Sequence, residues 1–219
     1  MPARAYEIFE RFEINNPHPR SELSARNEFT FVVSVLLSAQ ATDRSVNNAT
    51  EGLFKIADEP RQMLALGIDG LKQHIKSIGL YNNKAKNIIE LSKLLLSKYD
   101  SKVPRTRQEL EQLPGIGRKS ANVILNHLFG EAYIAVDTHV MRVSKRLGLS
   151  HAKSPLAIEA DLTRVIPDRF HVNASNWLVL HGRYVCKAAS PDCPKCPILD
   201  LCPHRQKRGY NGNRRGQAP

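Results

Sequence analysis

The first 185 residues contain no cysteine. Dispersed disulfides are thereby excluded from most of the chain. No signal peptide is visible at the N-terminus, so the expected compartment is reducing and cytoplasmic. No stretch approaches the ~18–20 consecutive apolar residues of a membrane span, and no membrane association is expected. Period-2 alternation is scarce, which argues against an all-β fold. Acidic residues are missing after Asp200, where Arg205, Lys207, Arg208, Arg214 and Arg215 follow. The formal net charge is +11 and the pI about 9.7. Without those five, 27 basic residues remain against 21 acidic ones, so the body of the chain keeps an excess of its own. A basic surface draws polyanions with salt-dependent affinity, and charge alone does not separate DNA from RNA. The end of the chain around Asn211–Gly216 reads as disordered.

What is present reads mostly as helix. Ala85, Ile88, Ile89, Ser92, Leu96 and Tyr99 keep helical spacing. Phe29–Val35 is rich in β-branched residues and fits helix or strand, and Ile134–Val136 fits an extended segment. A length of 219 residues suits one compact unit or two small domains.

Leu113-Pro114-Gly115-Ile116-Gly117-Arg118-Lys119 carries the first chemical signal. Gly115 and Gly117 permit a tight turn and close approach of the backbone to a ligand, and Pro114 stiffens the entry. Ala121, Ile124, Leu125 and Leu128 then mark the inner face of a helix, with Lys119, Asn122 and Asn126 on its polar face. The first-turn amides of that helix point at the turn, where amides and helix dipole together bind an anion without reading sequence. Thr106 and Glu109 fit a capping box for a short preceding helix. An isolated G-x-G also describes an ordinary αα-turn; Lys119 sharpens the reading. A nucleophilic amine must be neutral, against a reference lysine value of about 10.4. Partial burial and nearby positive charge are what lower it, and Arg118 and the helix N-terminus supply the charge.

Asp137 follows the apolar Ile134-Ala135-Val136 and opens a helical stretch in which Val140, Val143 and Leu147 face inward and Gly148 is the stop. It is a plausible N-cap. Capping amides keep a carboxylate ionised, and an ionised carboxylate stabilises an oxocarbenium-like sugar cation or moves protons.

All four cysteines, Cys186, Cys193, Cys196 and Cys202, are spaced C-x6-C-x2-C-x5-C. They look like one metal site, and four thiolates suit either zinc or a [4Fe–4S] cluster. Pro191, Pro194, Pro197 and Pro203 make the segment loop-like, so the bound group must supply much of its order.

These motifs, together with Leu36-Leu37-Ser38-Ala39-Gln40-Ala41-Thr42-Asp43, Ile78-Gly79-Leu80-Tyr81-Asn82 and Leu180-His181-Gly182-Arg183, occur in the order and spacing of the endonuclease III family. The chain resembles that family over about residues 1 to 203. The resemblance implies an all-α fold of two helical domains: a six-helix barrel with the helix–hairpin–helix at 22–131, and a cluster domain of 1–21 with 132–203. A basic, disordered tail would occupy 204–219. It implies a [4Fe–4S] cluster rather than zinc, DNA in the groove between the domains, and Lys119 facing Asp137 across it. The partner implied is double-stranded DNA with oxidised pyrimidines or abasic sites, met by a monomer that would be cytoplasmic and, in a bacterium, nucleoid-associated.

The implied activity is base-excision repair by a DNA glycosylase and AP lyase. Lys119 attacks C1′ and displaces the base, Asp137 stabilises the developing positive charge, and a Schiff base permits β-elimination 3′ to the lesion. Gln40 would enter the gap left by the extruded base and Leu80 would wedge near the orphan base. Gly115, Ile116, Gly117 and Arg118 would hold the backbone, Ile75–Lys84 would add a looser turn contact, and Glu111 and His139 are candidates for the base pocket. His181 and Arg183 suit support or phosphate contact. Lys187–Asp192, a loop rich in basic residues in this family, carries only one lysine and one aspartate here; Lys195 and the tail are the candidate compensation. Two alternatives remain. An adenine-mismatch glycosylase would resemble this fold, but it lacks the lysine, uses a glutamate where Ser34 stands and has an added C-terminal domain. A non-catalytic, cluster-stabilised DNA-binding module would use Lys119 and Asp137 only as phosphate contact and cap.

Overall fold

A computed structural model describes residues 2–204. The tail from 205 onward lies outside the described residues, and with it the expectation of disorder there. Among the described residues there are ten α-helices and no strand. None of these helices is long and apolar enough to cross a membrane. The chain divides into two compact units, one of residues 21–131 and one formed by residues 1–20 with 132 onward.

The unit of residues 21–131 carries α2 (Glu28–Leu37), α3 (Asp43–Ile56), α4 (Pro60–Ile75), α5 (Tyr81–Lys98), α6 (Arg107–Leu110) and α7 (Arg118–Phe129). The ambiguous run Phe29–Val35 is helical, and two causes decide it. Asn27 accepts from the Thr30 amide at 2.9 Å while the Thr30 hydroxyl accepts from the Asn27 amide at 2.9 Å, a capping box that starts α2. Burial on every side then removes any need for a polar face: Phe29 through Leu37 are all buried, with α3, α5 and α7 packed around them. α5 also forms as its spacing predicts, but its inner stripe is Lys84, Ala85, Ile88, Leu91, Ser92 and Leu95. Ile89 and Leu96 are only half-buried, and Lys84, Leu91 and Leu95 take core positions instead.

The other unit holds α1 (Pro2–Asn15), α8 (Thr138–Leu147), α9 (Pro155–Val165) and α10 (His171–Tyr184), with short 3-10 turns at Asp168–Phe170 and Cys193–Lys195. Its centre is aromatic. Phe9 packs against Phe12, Phe170 and Trp177 with ring centroids 5.7, 5.9 and 6.2 Å apart. The Trp177 indole N–H donates to the Asn16 carbonyl at 2.8 Å, which satisfies its one polar atom. α1 is fastened to the cysteine segment: Arg11 pairs with Asp200 at 2.6 Å and donates to the Pro197 carbonyl, and Arg4 donates to the Leu201 carbonyl. Ile134–Val136 lies outside the helices, and the Ala135 amide donates to the Ser175 hydroxyl at 2.7 Å.

Candidate active site and cysteine centre

The turn at 111–117 joins α6 to α7. Leu113 and Ile116 are buried and bonded to each other through their backbones at 3.0 Å, which anchors the loop by its apolar residues. Gly115 between them lies at φ 82, in the left-handed region. A Cβ there would come within 2.8 Å of Asn87 Nδ2 and 3.0 Å of Leu36 Cδ1. Gly117, the N-cap of α7, contributes no side-chain cap, and the space where its Cβ would stand is open. An uncapped helix start with exposed Gly115, Gly117 and Arg118 around it is the surface a phosphate requires. The Thr106–Glu109 cap is half of the expected box: the Thr106 oxygen accepts from the Glu109 amide at 3.3 Å, but its hydroxyl donates to the Glu109 carboxylate at 2.6 Å.

Gly115→Ala and Gly117→Ala separate fold from grip. The first is expected to cost about 1–3 kcal/mol of stability from the left-handed backbone and the contact with Asn87. The second is expected to leave thermal stability unchanged and to weaken duplex binding, since its methyl group enters the phosphate approach. Melting curves and duplex titrations at several salt concentrations read both. Equal melting temperatures for the two variants would contradict the assignment.

Lys119 lies in the first turn of α7 and is exposed rather than partly buried. Asn122 and Asn126 are buried, which corrects the solvent-facing polar face expected for that side of the helix. Asn126 is drawn inward because its Nδ2 donates to the Glu131 carbonyl at 3.0 Å, closing the end of α7. Glu111 is exposed, 3.8 Å from Arg107, an i,i+4 ion pair of little energetic weight.

Gln40 and Leu80 stand out by backbone. They lie at φ 55 and φ 60, uncommon for any side chain bearing a Cβ and an outlier for leucine. Leu80 is 59% exposed, so it is no core leucine. Beneath them is a residue that sequence reasoning missed. Lys84 is 5% exposed, and its ammonium donates to the carbonyls of Leu37 at 2.9 Å and Ala39 at 2.6 Å. Burial pushes its pKa down. The signal that could have found it is its register with Ile88, Leu91 and Leu95.

In the other unit, Asp137 caps α8: its Oδ1 accepts from the Val140 amide at 2.8 Å, and the residue is half-buried. Gly148 ends that helix at φ 65, as expected. His139 Nδ1 lies 3.3 Å from Arg142 Nη2, and Arg142 donates on to the carbonyls of Gly182 and Cys186. His139 is thereby braced against the end of α10.

Among the described residues the four cysteines form no disulfide. They line one cavity together with Arg146, Leu147, His181, Val185 and Leu199. The Cys196 thiol is pushed up to about 12, first by burial and then by the charges of Cys202, Cys186 and Cys193. Thiols crowded in this way need a positively charged group to be held as thiolates. His181, buried and 3.8 Å from Cys196 Sγ, is pushed down to about 4 by desolvation and stays neutral at physiological pH. Arg146 donates to the carbonyls of Lys187 and Ala188 at 2.7 and 2.8 Å and to Cys186 Sγ at 3.3 Å, so α8 holds the loop between the first two cysteines. Lys195 pairs with Asp192 at 3.4 Å, which partly offsets the basic charge expected of it. Ser34 is fully buried and donates to the Ser24 carbonyl at 3.1 Å; no carboxylate stands there.

A glycine hairpin with an uncapped helix start, an exposed lysine beside it and a four-cysteine segment are the features of a DNA-repair protein of the helix–hairpin–helix class. Residues 33–168 match the HhH-GPD superfamily base excision DNA repair protein. The chain is 56% identical over 196 residues to the endonuclease III of Rickettsia felis, covering 90% of this chain and 92% of that protein. Against the endonuclease III of Escherichia coli strain K12 it is 49% identical over 205 residues, 94% and 97% of the two chains. It is similar in structure to a trapped endonuclease III–DNA covalent intermediate, with a TM-score of 0.86 at 45% identity over 92% of this chain and 95% of that one. The chain belongs to the endonuclease III family. Its work is base-excision DNA repair by a DNA glycosylase and AP lyase.

Proposed function

We propose that this protein removes oxidised pyrimidines from double-stranded DNA and cuts the strand 3′ to the resulting abasic site, with Lys119 as nucleophile and Asp137 as the charge-stabilising carboxylate. The observation that carries the reading is the position of Lys119. It is exposed in the first turn of the helix whose uncapped start suits a phosphate, so a bound backbone delivers a sugar to its amine. The neutral amine of Lys119 donates its lone pair to C1′ as the C1′–N bond breaks. The base leaves with the bonding pair and takes up a proton. The amine loses one proton, the C1′–O4′ bond breaks with O4′ taking up a proton, and a protonated imine is left that accepts the electron pair in the next step. Loss of the C2′ proton then expels the 3′ phosphate. Asp137, held by the Val140 amide, offsets the positive charge at C1′ and accepts a proton in passing. Gln40 and Leu80 enter the space vacated by the base; Glu111 and His139 are assigned to the base pocket. The protein acts as a cytoplasmic monomer.

Cys186, Cys193, Cys196 and Cys202 would hold a [4Fe–4S] cluster. Their all-sulfur donor set suits it. Among the described residues no three of His, Cys, Asp or Glu converge as ligands of a single ion would, whereas the four thiols surround one cavity, an arrangement that favours a group several atoms across. A bound cluster supplies a crosslink between distant parts of a proline-rich loop and a redox couple that the excision reaction does not need. Purified protein is expected to contain iron and acid-labile sulfide in equal amounts, and Cys196→Ser to lose both and to melt lower. Zinc without sulfide would overturn the assignment.

The deciding experiment for the function is borohydride reduction of the protein on a duplex carrying one thymine glycol. A covalent protein–DNA band supports the bifunctional reading. Base release without a band would mean activated water in place of the lysine, and duplex binding with neither would leave a binding module.

A further inference from the structure

Helix α2 ends at Leu37, and its last carbonyls have no partners within the helix. Ser38 and Ala39 meet the carbonyls of Ser34, Val35 and Leu36, and Lys84 reaches that of Leu37 from the first turn of α5. Its Nζ binds the carbonyls of Leu37 and of Ala39, the residue before Gln40. Its own amide donates to the Leu80 carbonyl at 3.1 Å, the first hydrogen bond of α5. One residue is thus bonded to the neighbour of Gln40 through its side chain and to Leu80 through its backbone. Both Gln40 and Leu80 are exposed and both lie in left-handed backbone, a conformation that persists in side-chain-bearing residues only where the surroundings impose it.

The chemistry of Lys84 is unusual for a core. It is a cation among apolar residues, and among the described residues no carboxylate pairs with it. A site that needed only packing would be at least as well served by methionine or leucine. A cation whose donors aim at the end of a helix is favoured by the helix dipole and fixes carbonyls in direction as well as in place.

We propose that Lys84 is a positioning residue for base extrusion, its buried ammonium locking the end of α2 to the start of α5 so that Gln40 and Leu80 form one rigid, two-pronged probe of the duplex. This rests on the reading that those two residues occupy the gap left by the extruded base. Lys84 does not touch the reacting sugar; it acts through the two residues it holds.

The test is single-turnover excision by cluster-loaded protein from two substrates, thymine glycol paired in a duplex and thymine glycol in an unpaired bubble, where no stack has to be opened. Lys84→Met is expected to slow excision from the paired substrate at least about tenfold, the rate equivalent of losing a charge-assisted hydrogen bond, and to leave the unpaired substrate nearly unchanged. In a Gln40→Ala, Leu80→Ala background the same substitution is expected to cost nothing further on the paired substrate. Equal slowing on both substrates, or slowing that multiplies with the probe substitutions, would show Lys84 to be merely structural and overturn the proposal. If the Gln40→Ala, Leu80→Ala protein excises the paired lesion at the normal rate, the gap-filling reading itself has failed, and the proposal falls with it by a separately visible route. Should Lys84→Met not fold, Lys84→Gln, which keeps a neutral donor amide, is expected to show the same selectivity at smaller size.

Discussion

Lys119→Gln is expected to give a folded protein that binds duplex DNA, retains its cysteine-bound group and forms no borohydride-trapped adduct. Base release should fall by about a thousandfold or more, the scale seen when a nucleophile acting within a catalytic unit is removed. The substitution is conservative for the fold because Lys119 is exposed, so its burial contributes little to stability, and glutamine is an equally good helix former. Binding should weaken only slightly, since the hairpin backbone and Arg118 remain. Melting temperature and duplex affinity therefore serve as internal controls. A mutant that still traps on DNA would transfer the nucleophile to another amine. Lys84 is a poor candidate for it: its ammonium is engaged by two carbonyls inside the unit.

Asp137 offers a sharper dissection because one side chain has two roles. Asparagine is as good an N-cap as aspartate, so Asp137→Asn should keep the bond to the Val140 amide and the stability of α8. It loses the negative charge, and excision should fall by about a hundredfold to a thousandfold. Asp137→Ala loses the charge and the cap, and should cost about 1 kcal/mol of stability in addition. Rate loss without stability loss in the first variant, and both in the second, is the expected pattern. If the asparagine variant keeps its full rate, Asp137 is a cap and nothing more.

The parts of the molecule legible in the sequence are those where local chemistry decides. The hairpin was readable because Gly115 sits in left-handed backbone with no room for a Cβ, and Gly117 leaves the start of α7 open. The cap at Asp137 and the stop at Gly148 are both local. The cysteines announced themselves by confinement to one segment. What was hidden depends on packing from elsewhere. Phe29–Val35 is helical because a capping box starts it and three helices cover it on all sides, and the covering is what no window of its own sequence records. Asn122 and Asn126 follow the polar period of α7 and yet are buried, the latter drawn in by a carbonyl beyond the helix end. Leu80 carries no local mark of exposure, and its left-handed backbone is imposed by the turn. Lys84 was missed for the opposite reason: its helical register placed it among core residues, but lysine is assumed to face water. The weakly basic loop Lys187–Asp192 was visible from sequence; its fixation by Arg146 was not.

The bond between Arg11 and Asp200 joins positions 189 residues apart, and it belongs to a unit assembled from both flanks of the other. During synthesis α1 emerges well before the residues it binds, with the whole of residues 21–131 made in between. At ~5–20 residues per second, the intervening stretch takes on the order of ten seconds or more to be made. The segment of residues 21–131 has all of its own partners in hand long before then. Phe9 and Phe12 must spend that interval uncovered or transiently sheltered. The cysteines are translated after the whole of residues 21–131, so a group held by them would meet a chain whose other unit already has all its residues. Closure of the unit around α1 and completion of the cysteine segment therefore fall in the same interval, because Arg11 and Arg4 are bonded to that segment.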